Sequence, residues 1–480
     1  MLFMAAKKFY VTTPIYYVND VPHIGTAYCT VCSDIIAKWH RLKGEDVRFL
    51  TGLDENSIKT YKAAEKLGRK TRKGIQEYTD DMAKKWKNVW KKLRIEYDGF
   101  VRTTELAHKK VVLDFFNKVN KKGDIYKGKY KGLYCEGCEA FVTEKELVNG
   151  LCPLHKTKPK ELEEENYFFK LSKYQDRVLE HIEKDKNFIK PESKRQEVIS
   201  FIKSGIKDVS ISRPDYGWGI NLSIDKKQVF WVWFDALLNY ISGAEGRWPA
   251  DLHVIGKDIL RFHAVIWPAM LISAGYKLPK TIFAHGFLTI NGQKISKSLG
   301  NAIEPVYLVE KYGLDSIRYF LAREVPFGQD GDFSEQVLKD RHNNELANKL
   351  GNLVSRVSAL AEKYGIEKCE NKLLHRLKLH EIEKLIENYE LDKSLNEIFA
   401  FVDICNEFVQ EKKPWETGDK NVLYELADSI KAIAILLWPF IPETSEKIAE
   451  QFSFKIRFDE IEKPLKEGRI KKHGILFKKL

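Results

Sequence analysis

The residues best suited to chemistry lie in one short stretch, residues 293–301, which reads Gln-Lys-Ile-Ser-Lys-Ser-Leu-Gly-Asn. Lys294 and Lys297 can present mobile point charges to a ligand. Ser296 and Ser298 are short, and the glycine that follows lets a loop approach a ligand closely. This chemistry suits a triphosphate, whose charge must be neutralised while it rearranges. Taken alone, the stretch is equally typical of a solvated basic turn.

A second candidate phosphate site lies at residues 23–26, which read His-Ile-Gly-Thr. Residues 8–13 have the aromatic and β-branched composition of a strand, a helical pattern follows residue 23, and residues 46–51 resemble another strand. Such a βαβ unit predicts a parallel sheet with a nucleotide site at the strand ends. A lone histidine at a helix start is more often a surface or packing residue. Its pairing with the lysine stretch favours the interpretation that His23 and Gly25 face phosphate at a helix N-terminus.

A third candidate site is a metal centre. Cys135, Cys138, Cys152 and His155 have the spacing C-x2-C-x13-C-x2-H. Two ligand pairs separated by a short hairpin match tetrahedral zinc bound by three thiolates and one imidazole, and a disulfide is the weaker alternative in a reducing compartment. Because the protein fills all four positions, the zinc is expected to be structural.

Composition limits the class of protein. The 480 residues are enough for two to four domains, and 44% hydrophobic content describes an ordinary globular protein. A formal charge of +12 permits a polyanionic partner such as nucleic acid, although a solvated Lys-rich surface explains it equally well. The seven cysteines are unevenly spaced, which argues for a reducing compartment. The apolar runs are too short for a signal sequence or a membrane span, so we expect a soluble, cytoplasmic protein.

The remaining patterns indicate which elements position these residues. Residues 59–117 are expected to be helical and basic, and residues 229–234 form a nearly continuous apolar run that predicts a strand buried on both faces. Gly256 and Asp258 follow a further predicted strand, where a glycine lets an adenosine approach and a carboxylate can accept hydrogen bonds from ribose. From Ser334 onward the pattern is helical. The expected fold class is therefore α/β, with a doubly wound parallel sheet of Rossmann type followed by an all-α helical bundle.

The motifs at residues 23–26 and 294–298 resemble the two motifs with which class I aminoacyl-tRNA synthetases bind ATP and stabilise the transition state of amino-acid adenylation. Residues 12–17 (Thr-Thr-Pro-Ile-Tyr-Tyr), 230–236 (Phe-Trp-Val-Trp-Phe-Asp-Ala) and 253–258 (His-Val-Ile-Gly-Lys-Asp) are similar to the methionyl-tRNA synthetases. The match extends over essentially the whole chain.

Two positions depart from the family pattern. Thr26 stands where the first motif usually has a second histidine, and it can donate a hydrogen bond but cannot carry positive charge. Electrostatic stabilisation of a pentavalent phosphate is therefore expected to be weaker. Residues 53–57 read Leu-Asp-Glu-Asn-Ser, where the family commonly has Thr-Asp-Glu-His-Gly, so Asp54 is kept while Asn56 replaces a histidine.

The resemblance implies a role for each matching residue. The catalytic set around the triphosphate is His23, Thr26, Lys294 and Lys297, with Mg²⁺ accompanying ATP. The ATP-binding set is Gly25, Gly256, Asp258, Lys294, Ser296, Lys297 and Ser298. The methionine-binding set is Ile15, Tyr17, Asp54, Trp233, Ala236, Tyr240 and His263, with Asp54 pairing with the substrate amino group. Asn352, Arg356 and Trp415 read the CAU anticodon of tRNA(Met), and the single zinc knuckle shapes an insertion for the acceptor end of the tRNA.

The resemblance also implies the order of domains. The predicted units are 1–117 (first half of the catalytic domain), 118–222 (connective insertion with the zinc knuckle), 223–290 (second half of the catalytic domain), 291–345 (lysine loop and linking segment) and 346–480 (α-helical anticodon-binding domain). The family's optional C-terminal tRNA-binding and dimerising domain is not recognised, so a monomer is expected.

Two alternatives to a methionine–tRNA ligase stay open on sequence alone. One is a class I synthetase for another amino acid, although no insertion is large enough for the editing domain of the isoleucyl, valyl or leucyl enzymes, and the cysteinyl enzyme would hold its zinc in the amino-acid pocket. The other is a catalytically weakened tRNA-binding paralogue, which Thr26 and Asn56 keep possible.

Overall fold

The computed structural model describes residues 6–142, 144, 147–154, 156–295, 300–466, 470–472 and 474–480. Its centre is a six-stranded sheet in the order β3-β2-β1-β11-β12-β7, in which every neighbouring pair is parallel. These strands are β1 (Lys8–Tyr17), β2 (Asp46–Asp54), β3 (Gly99–Arg102), β7 (Ile189–Lys190), β11 (Leu252–Gly256) and β12 (Thr281–His285). The chain leaves β1 toward β2 on one side, and β11 lies on the other, so the strand order reverses at β1. The predicted doubly wound parallel sheet is confirmed.

The sheet separates two hydrophobic cores. Phe9 and Val11 on β1 face a core that continues into the helical C-terminal part, whereas Tyr10 faces a second core that includes the insertion. This alternation is the period-2 pattern of a strand buried on both faces. The first core makes the catalytic sheet and the C-terminal helices one continuous packed body.

Helices cover both faces of the sheet. They are α1 (Ile24–Leu42), α2 (Ile58–Lys66), α3 (Arg72–Lys92), α4 (Leu106–Lys121), α5 (Gln175–Lys184), α6 (Glu192–Lys203), α7 (Val232–Ala236), α8 (Asn239–Ser242) and α9 (Trp267–Ala274). A π-helical turn, Phe262–Ile266, leads into α9. Helix α1 is buried along almost its whole length, including polar residues such as Asp34 and Lys38.

The insertion has its own antiparallel sheet in the order β5-β4-β6-β8. Its strands are β4 (Ile125–Cys135), β5 (Ala140–Val142), β6 (Lys160–Phe169) and β8 (Val209–Ser210), and a separate antiparallel pair is formed by β9 (Ser212–Pro214) and β10 (Gln228–Phe230). Strand β7 lies within the range predicted as the insertion, yet it pairs with β12 and forms one edge of the central sheet.

After the central sheet, a small sheet of β13 (Leu288–Ile290), β14 (Gln293–Lys294) and β15 (Gly331–Asp332) leads to the C-terminal helices. These are α10 (Pro305–Tyr312), α11 (Leu314–Arg323), α12 (Glu335–Arg341), α13 (Asn352–Tyr364), α14 (Leu379–Glu387), α15 (Leu391–Lys412), α16 (Pro414–Thr417), α17 (Lys420–Leu437) and α18 (Pro442–Phe452). A π-helical segment, His342–Gly351, joins α12 to α13. The predicted helical C-terminal part is confirmed.

Two local predictions are wrong. Residues 59–117 are not all helical, because β3 lies within them and pairs with β2. Residues 229–234 do not form a strand of the central sheet: β10 ends at Phe230, and α7 begins after Trp231. A short apolar run does not distinguish a buried strand from a buried helix, since both have apolar residues on every side.

Among the helices of the described ranges, none combines the length and the apolar character that a bilayer crossing requires.

Candidate active site

A cavity of about 360 Å³ opens at the carboxyl ends of β1, β2 and β11, where the strand order reverses. Ligands of open α/β sheets bind at such a position. The predicted nucleotide and amino-acid residues line this same cavity: Ile15, Tyr17, His23, Gly25, Thr26, Asp54, Trp233, Ala236, Tyr240, Gly256, Asp258 and His263. The structure therefore brings together residues that are separated by more than 200 positions in the chain.

The N-terminus of α1 points into the cavity. His23 is the N-cap residue, and its Nδ1 accepts a hydrogen bond from the backbone N–H of Thr26 at 3.3 Å. A Cβ atom at Gly25 would lie 3.1 Å from the His23 ring, so a larger residue would require the imidazole to shift by a few tenths of an ångström. The aligned N–H groups of a buried helix start make this wall favourable for negative charge.

The lysine stretch begins in a tight hairpin between β13 and β14. Its turn residues Asn291 and Gly292 both have positive φ angles, 52° and 70°, as a two-residue hairpin turn requires. The Asp332 carboxylate accepts from both of their backbone N–H groups, at 3.1 and 3.0 Å. Ile295 is buried and lines the cavity, so the stretch enters the site at its rim. Lys294 ends β14, whereas the predicted Ser296, Lys297 and Ser298 lie outside the described residues.

The opposite rim is formed by the end of β11. A Cβ at Gly256 would lie 2.6 Å from Oδ1 of Asp258, so a larger residue would displace this carboxylate. His285, the last residue of β12, also lines the cavity, and its Nδ1 donates to the carbonyl of Gly286 at 2.7 Å. This rim therefore places the carboxylate of Asp258 and the imidazole of His285 at the ends of neighbouring strands, where nucleosides bind in open α/β sheets.

Asp54 is the last residue of β2, is only 4% exposed, and lines the cavity. Its Oδ1 atom has no hydrogen-bond partner within the described part of the chain. Burial, together with the nearby carboxylates of Asp235 and Glu139, raises the pKa of Asp54 well above its usual 3.8. A carboxylate in this situation strongly favours a cation as its neighbour.

Aromatic side chains form the wall beside Asp54. Trp233 stacks on Phe262 with ring centroids 3.9 Å apart and an interplanar angle of 2°. Tyr240 and His263 form a buried pair, with the phenol oxygen 2.7 Å from Nε2, while Nδ1 of His263 lies 3.0 Å from the carbonyl oxygen of Ile259. Because a carbonyl only accepts, Nδ1 carries the proton and Nε2 accepts from the Tyr240 hydroxyl.

Burial lowers the pKa of His263 to about 4. The imidazole is therefore neutral near pH 7, and this end of the cavity presents neutral polar atoms and aromatic faces. Such a surface suits a soft, uncharged side chain.

The thiol groups of Cys135, Cys138 and Cys152 lie within 4.8 Å of one another, and the sulfur atoms of Cys138 and Cys152 are 3.6 Å apart. All seven cysteines are free of disulfide bonds. Three converging thiols are the donor set of a structural zinc site, so the predicted metal centre fits these residues. The predicted fourth ligand, His155, lies outside the described residues.

The predicted anticodon residues lie in the helical part, far along the chain from the cavity. Asn352 and Arg356 are four residues apart at the start of α13, so they project from one face of this helix. Trp415 lies in the one-turn helix α16 and is 38% exposed. Gly418 ends α16 and packs against the ring of Tyr364 at the far end of α13. Asn352 and Arg356 therefore share a helix that α16 also contacts.

Comparison with known proteins identifies the family. The model described as tRNA synthetases class I (M) matches residues 9–162 and 144–358, and the model described as the anticodon-binding domain of tRNA ligase matches residues 370–472. The methionine–tRNA ligase of Thermotoga maritima is 44% identical over 503 residues, which cover 98% of this chain and 78% of that protein. The chain belongs to the methionine–tRNA ligase family.

Other relatives agree. The methionine–tRNA ligase of a Nostoc species is 43% identical and covers 95% of this chain and 92% of its own length. The solved structure of Mycobacterium tuberculosis methionyl-tRNA synthetase in complex with methionyl-adenylate superposes with a TM-score of 0.93 and 36% identity over 98% of this chain and 99% of that chain. Sequence identity and structural superposition therefore assign this chain to the same family and the same fold.

The residues that hold the segment after Asp54 in place were not identified from the sequence. Glu55 is fully buried and receives hydrogen bonds from Arg102, at 2.7 Å, and from the Thr104 hydroxyl. The backbone carbonyls of Glu55 and Asn56 accept from Trp218 and Tyr216, at 2.7 and 2.9 Å. His285 could have been found, because it ends a largely apolar strand, but the partners of Glu55 leave no local signal.

Proposed function

We propose that the protein is a methionine–tRNA ligase, which activates L-methionine with ATP and transfers it to tRNA(Met) for protein synthesis and its initiation. The observation that carries the proposal is the single cavity described above. It combines a helix N-terminus, which suits a triphosphate, with a buried acid and an aromatic wall, which suit methionine, and the lysine stretch reaches it at Ile295.

The amino-acid end of the cavity accounts for substrate choice. The α-ammonium group of methionine binds the carboxylate of Asp54, whose Oδ1 otherwise has no partner in the described ranges. The side chain lies along Ile15, Trp233 and Ala236, toward Tyr17, Tyr240 and His263. A thioether is polarisable and interacts favourably with aromatic rings, and a neutral His263 does not attract a charged side chain.

In the first step, a carboxylate oxygen of methionine attacks the α-phosphorus of ATP, and the bond to the pyrophosphate oxygen breaks. ATP enters as its Mg²⁺ complex. The chain contributes position and charge. His23, Thr26 and the N-terminus of α1 bind the triphosphate, and the proposal gives Lys294, Lys297 and the hydroxyls of Ser296 and Ser298 the task of neutralising its charge. Gly25 and Gly256 leave room for the nucleotide, and Asp258 accepts hydrogen bonds from the ribose.

In the second step, a terminal ribose hydroxyl of the tRNA attacks the carbonyl carbon of methionyl-adenylate, and AMP leaves. Asn352, Arg356 and Trp415 read the CAU anticodon, with Trp415 stacking on an unpaired base. The partial exposure of Trp415 supports this role, since a buried indole could not reach a base.

The zinc knuckle has a structural role in this proposal. Cys135, Cys138 and Cys152, with His155 as the proposed fourth ligand, would hold one Zn²⁺, which would serve as a structural cross-link. The insertion thereby keeps a defined surface for the acceptor end of the tRNA. The unbridged cysteines also agree with a cytoplasmic location, and we expect a monomer by light scattering.

The decisive test is ATP–pyrophosphate exchange by the purified protein with each amino acid in turn, beside the variant Thr26→His. We expect exchange with methionine and none above background with isoleucine, valine, leucine or cysteine. Robust exchange by the wild type means that threonine suffices at position 26. Exchange by the variant alone would mean a degraded site on a retained scaffold.

A preference for another amino acid would favour a different class I synthetase. If both proteins bind tRNA but neither shows exchange, the catalytic assignment is wrong and the chain is a tRNA-binding paralogue. Arg356→Ala serves as a control, because it should weaken aminoacylation of tRNA without changing exchange.

A further inference from the structure

A buried carboxylate joins two walls of the methionine cavity. Both oxygens of Asp235 are held by donors: Oδ2 accepts from the side-chain amide of Asn56 at 2.7 Å, and Oδ1 accepts from Nε2 of His108 at 2.7 Å. Asp235 and His108 are each 1% exposed and Asn56 is 4% exposed. Since an amide N–H and an imidazole N–H are directional donors, the carboxylate fixes the relative position of the two groups.

The three residues come from different parts of the fold. Asn56 lies two residues after Asp54, and its amide also donates to the backbone carbonyl of Thr103 at 3.1 Å. His108 lies on α4, and its Nδ1 is 2.8 Å from the hydroxyl of Ser242 at the end of α8. The contact therefore connects the end of β2 with α4, α7 and α8.

Asp235 itself lies on α7, between Trp233 and Ala236. These two neighbours line the cavity, whereas Asp235 is not among its described lining residues. Its charge nevertheless acts on Asp54, because it contributes to the raised pKa of that group. The carboxylate thus stands behind the cavity, between the acid at one end and the aromatic wall.

We propose that Asp235 is a positioning residue for methionine. Through Asn56 it sets the separation between Asp54 and the wall of Trp233 and Ala236, and this separation determines which amino acid can place its ammonium group on Asp54 and its side chain on the wall. The proposal rests on the proposed methionine–tRNA ligase function. It also gives Asn56 a role, since a short donor at this position is what the carboxylate requires.

A purely structural role would affect stability and both substrates alike, so a matched control is needed. The chain offers one in Asp428, which is 3% exposed and accepts from the side-chain amide of Asn371 at 2.8 Å in the helical part. Asp428→Asn disturbs a buried amide–carboxylate contact away from the cavity, together with the buried ion pair between Asp428 and Lys431 at 2.7 Å, so it is at least as disruptive to the fold.

The experiment measures methionine-dependent exchange by the full-length wild type and by Asp235→Asn, Asn56→Ala, their double variant and Asp428→Asn. Asp235→Asn leaves one acceptor oxygen for two donors, Asn56 and His108, so one of the two contacts is lost. KM for methionine should then rise about tenfold while KM for ATP stays within about twofold. The preference for methionine over ethionine, measured by kcat/KM, should fall about threefold or more because the walls are no longer held at one separation. Asp428→Asn should lower the melting temperature and leave both KM values unchanged.

Coupling provides the second readout. If Asp235 acts through Asn56, the double variant should be no worse than Asp235→Asn alone. The proposal is overturned if KM for both substrates rises together, if KM for methionine does not change, or if the two single effects multiply. If Asp235→Asn does not fold, Asn56→Ala carries the test, with about a threefold rise in KM for methionine alone. A wild type without methionine-dependent exchange would reject the proposed function itself, and this proposal with it.

Discussion

Two buried aspartates in the first half of the catalytic domain have opposite surroundings. Asp34, on α1, is 0% exposed and lies 2.9 Å from Nζ of Lys38 and 2.7 Å from Nη2 of Arg318. Asp54, at the end of β2, is 4% exposed, and one of its oxygens has no partner among the described residues. Burial alone raises the pKa of both groups, but the cations beside Asp34 more than offset it and the net pKa lies below 3.8.

The difference distinguishes a carboxylate that stabilises the fold, Asp34, from a carboxylate that is available to bind a ligand, Asp54. Arg318 also donates to the backbone carbonyls of Leu93, Pro439 and Phe440, at 3.1, 2.8 and 3.2 Å, so its ion pair with Asp34 ties the catalytic part to the turn before α18. The paired group holds the fold together. The unpaired group is costly to bury, and a ligand cation removes that cost.

The largest effect on stability is expected from Asp34→Asn. The change leaves the buried Arg318 without its carboxylate partner, and Lys38 with only Glu96 at 3.4 Å, which should lower the free energy of unfolding by about 3–5 kcal/mol. KM for methionine should not change. The matched control is Asp46→Asn, whose pair with Arg247 is partly exposed and should be worth no more than about 1 kcal/mol. Urea denaturation measures both, and equal losses would contradict the comparison.

Asp54→Asn should have the reverse profile. Loss of the buried carboxylate removes the partner of the methionine ammonium group. The lost interaction should be worth about 2–5 kcal/mol, so kcat/KM for methionine in the exchange reaction should fall roughly 30-fold to several thousand-fold. The free energy of unfolding without ligand should stay the same or rise, because an unpaired buried charge disappears. A variant that loses stability as Asp34→Asn does would refute the assignment of Asp54 as a binding charge.

The pH dependence of methionine binding should report the raised pKa of Asp54. Only the carboxylate attracts an ammonium group, so KM for methionine should rise by up to roughly tenfold per unit as the pH falls through this pKa. KM for ATP, measured at saturating methionine, provides the reference profile. A methionine profile that stays flat down to pH 4 would show that the group is already paired in the free protein.

Stability without ligand should depend on pH with opposite signs for the two groups. Between pH 3.8 and the raised pKa of Asp54, the folded protein binds a proton that the unfolded chain does not, so this group makes stability fall as the pH rises. The contribution of Asp34 is present above about pH 4 and is lost as the pH falls through its lowered pKa. Urea denaturation across this pH range should show that Asp54→Asn lacks the first pH dependence of the free energy of unfolding and that Asp34→Asn lacks the second.

The smallest effect is expected from Glu139→Gln. Glu139 is 1% exposed and its charge adds to the raised pKa of Asp54, so its removal should move the acid limb of the methionine profile to lower pH. KM for methionine at neutral pH should change by less than about threefold. Glu136→Gln is the control on the same segment, because Glu136 is exposed and pairs with Lys62 and Lys160.

The site residues that could be predicted are those whose neighbours in the sequence form a recognisable motif or a predicted strand or helix. His23 precedes a helical pattern, Gly256 and Asp258 follow a strand, and the lysine stretch is itself a motif, so their cavity could be expected before the structure was known. The predicted roles of the site residues and the predicted domain boundaries stay predictions.

The rest depended on partners that are distant in the chain. Asp34 and Lys38 are four apart on a helix, a spacing typical of a solvated pair, and only Arg318, 284 positions later, shows that the pair is buried. Asn56 and Asp235 are separated by 179 positions and are likewise uninformative alone. The strand expected at residues 229–234 was wrong for a related reason: burial on all sides erases the periodicity that distinguishes strand from helix.

Strand β7 has a consequence for solubility. An open parallel sheet ends in a row of unpaired backbone groups, which other chains can use as a template for aggregation. Here that edge next to β12 is occupied by only two residues, Ile189 and Lys190, and Pro191 follows at once and offers no N–H group. The insertion therefore also caps the sheet, and the catalytic core gains protection against edge-to-edge association during synthesis of the chain.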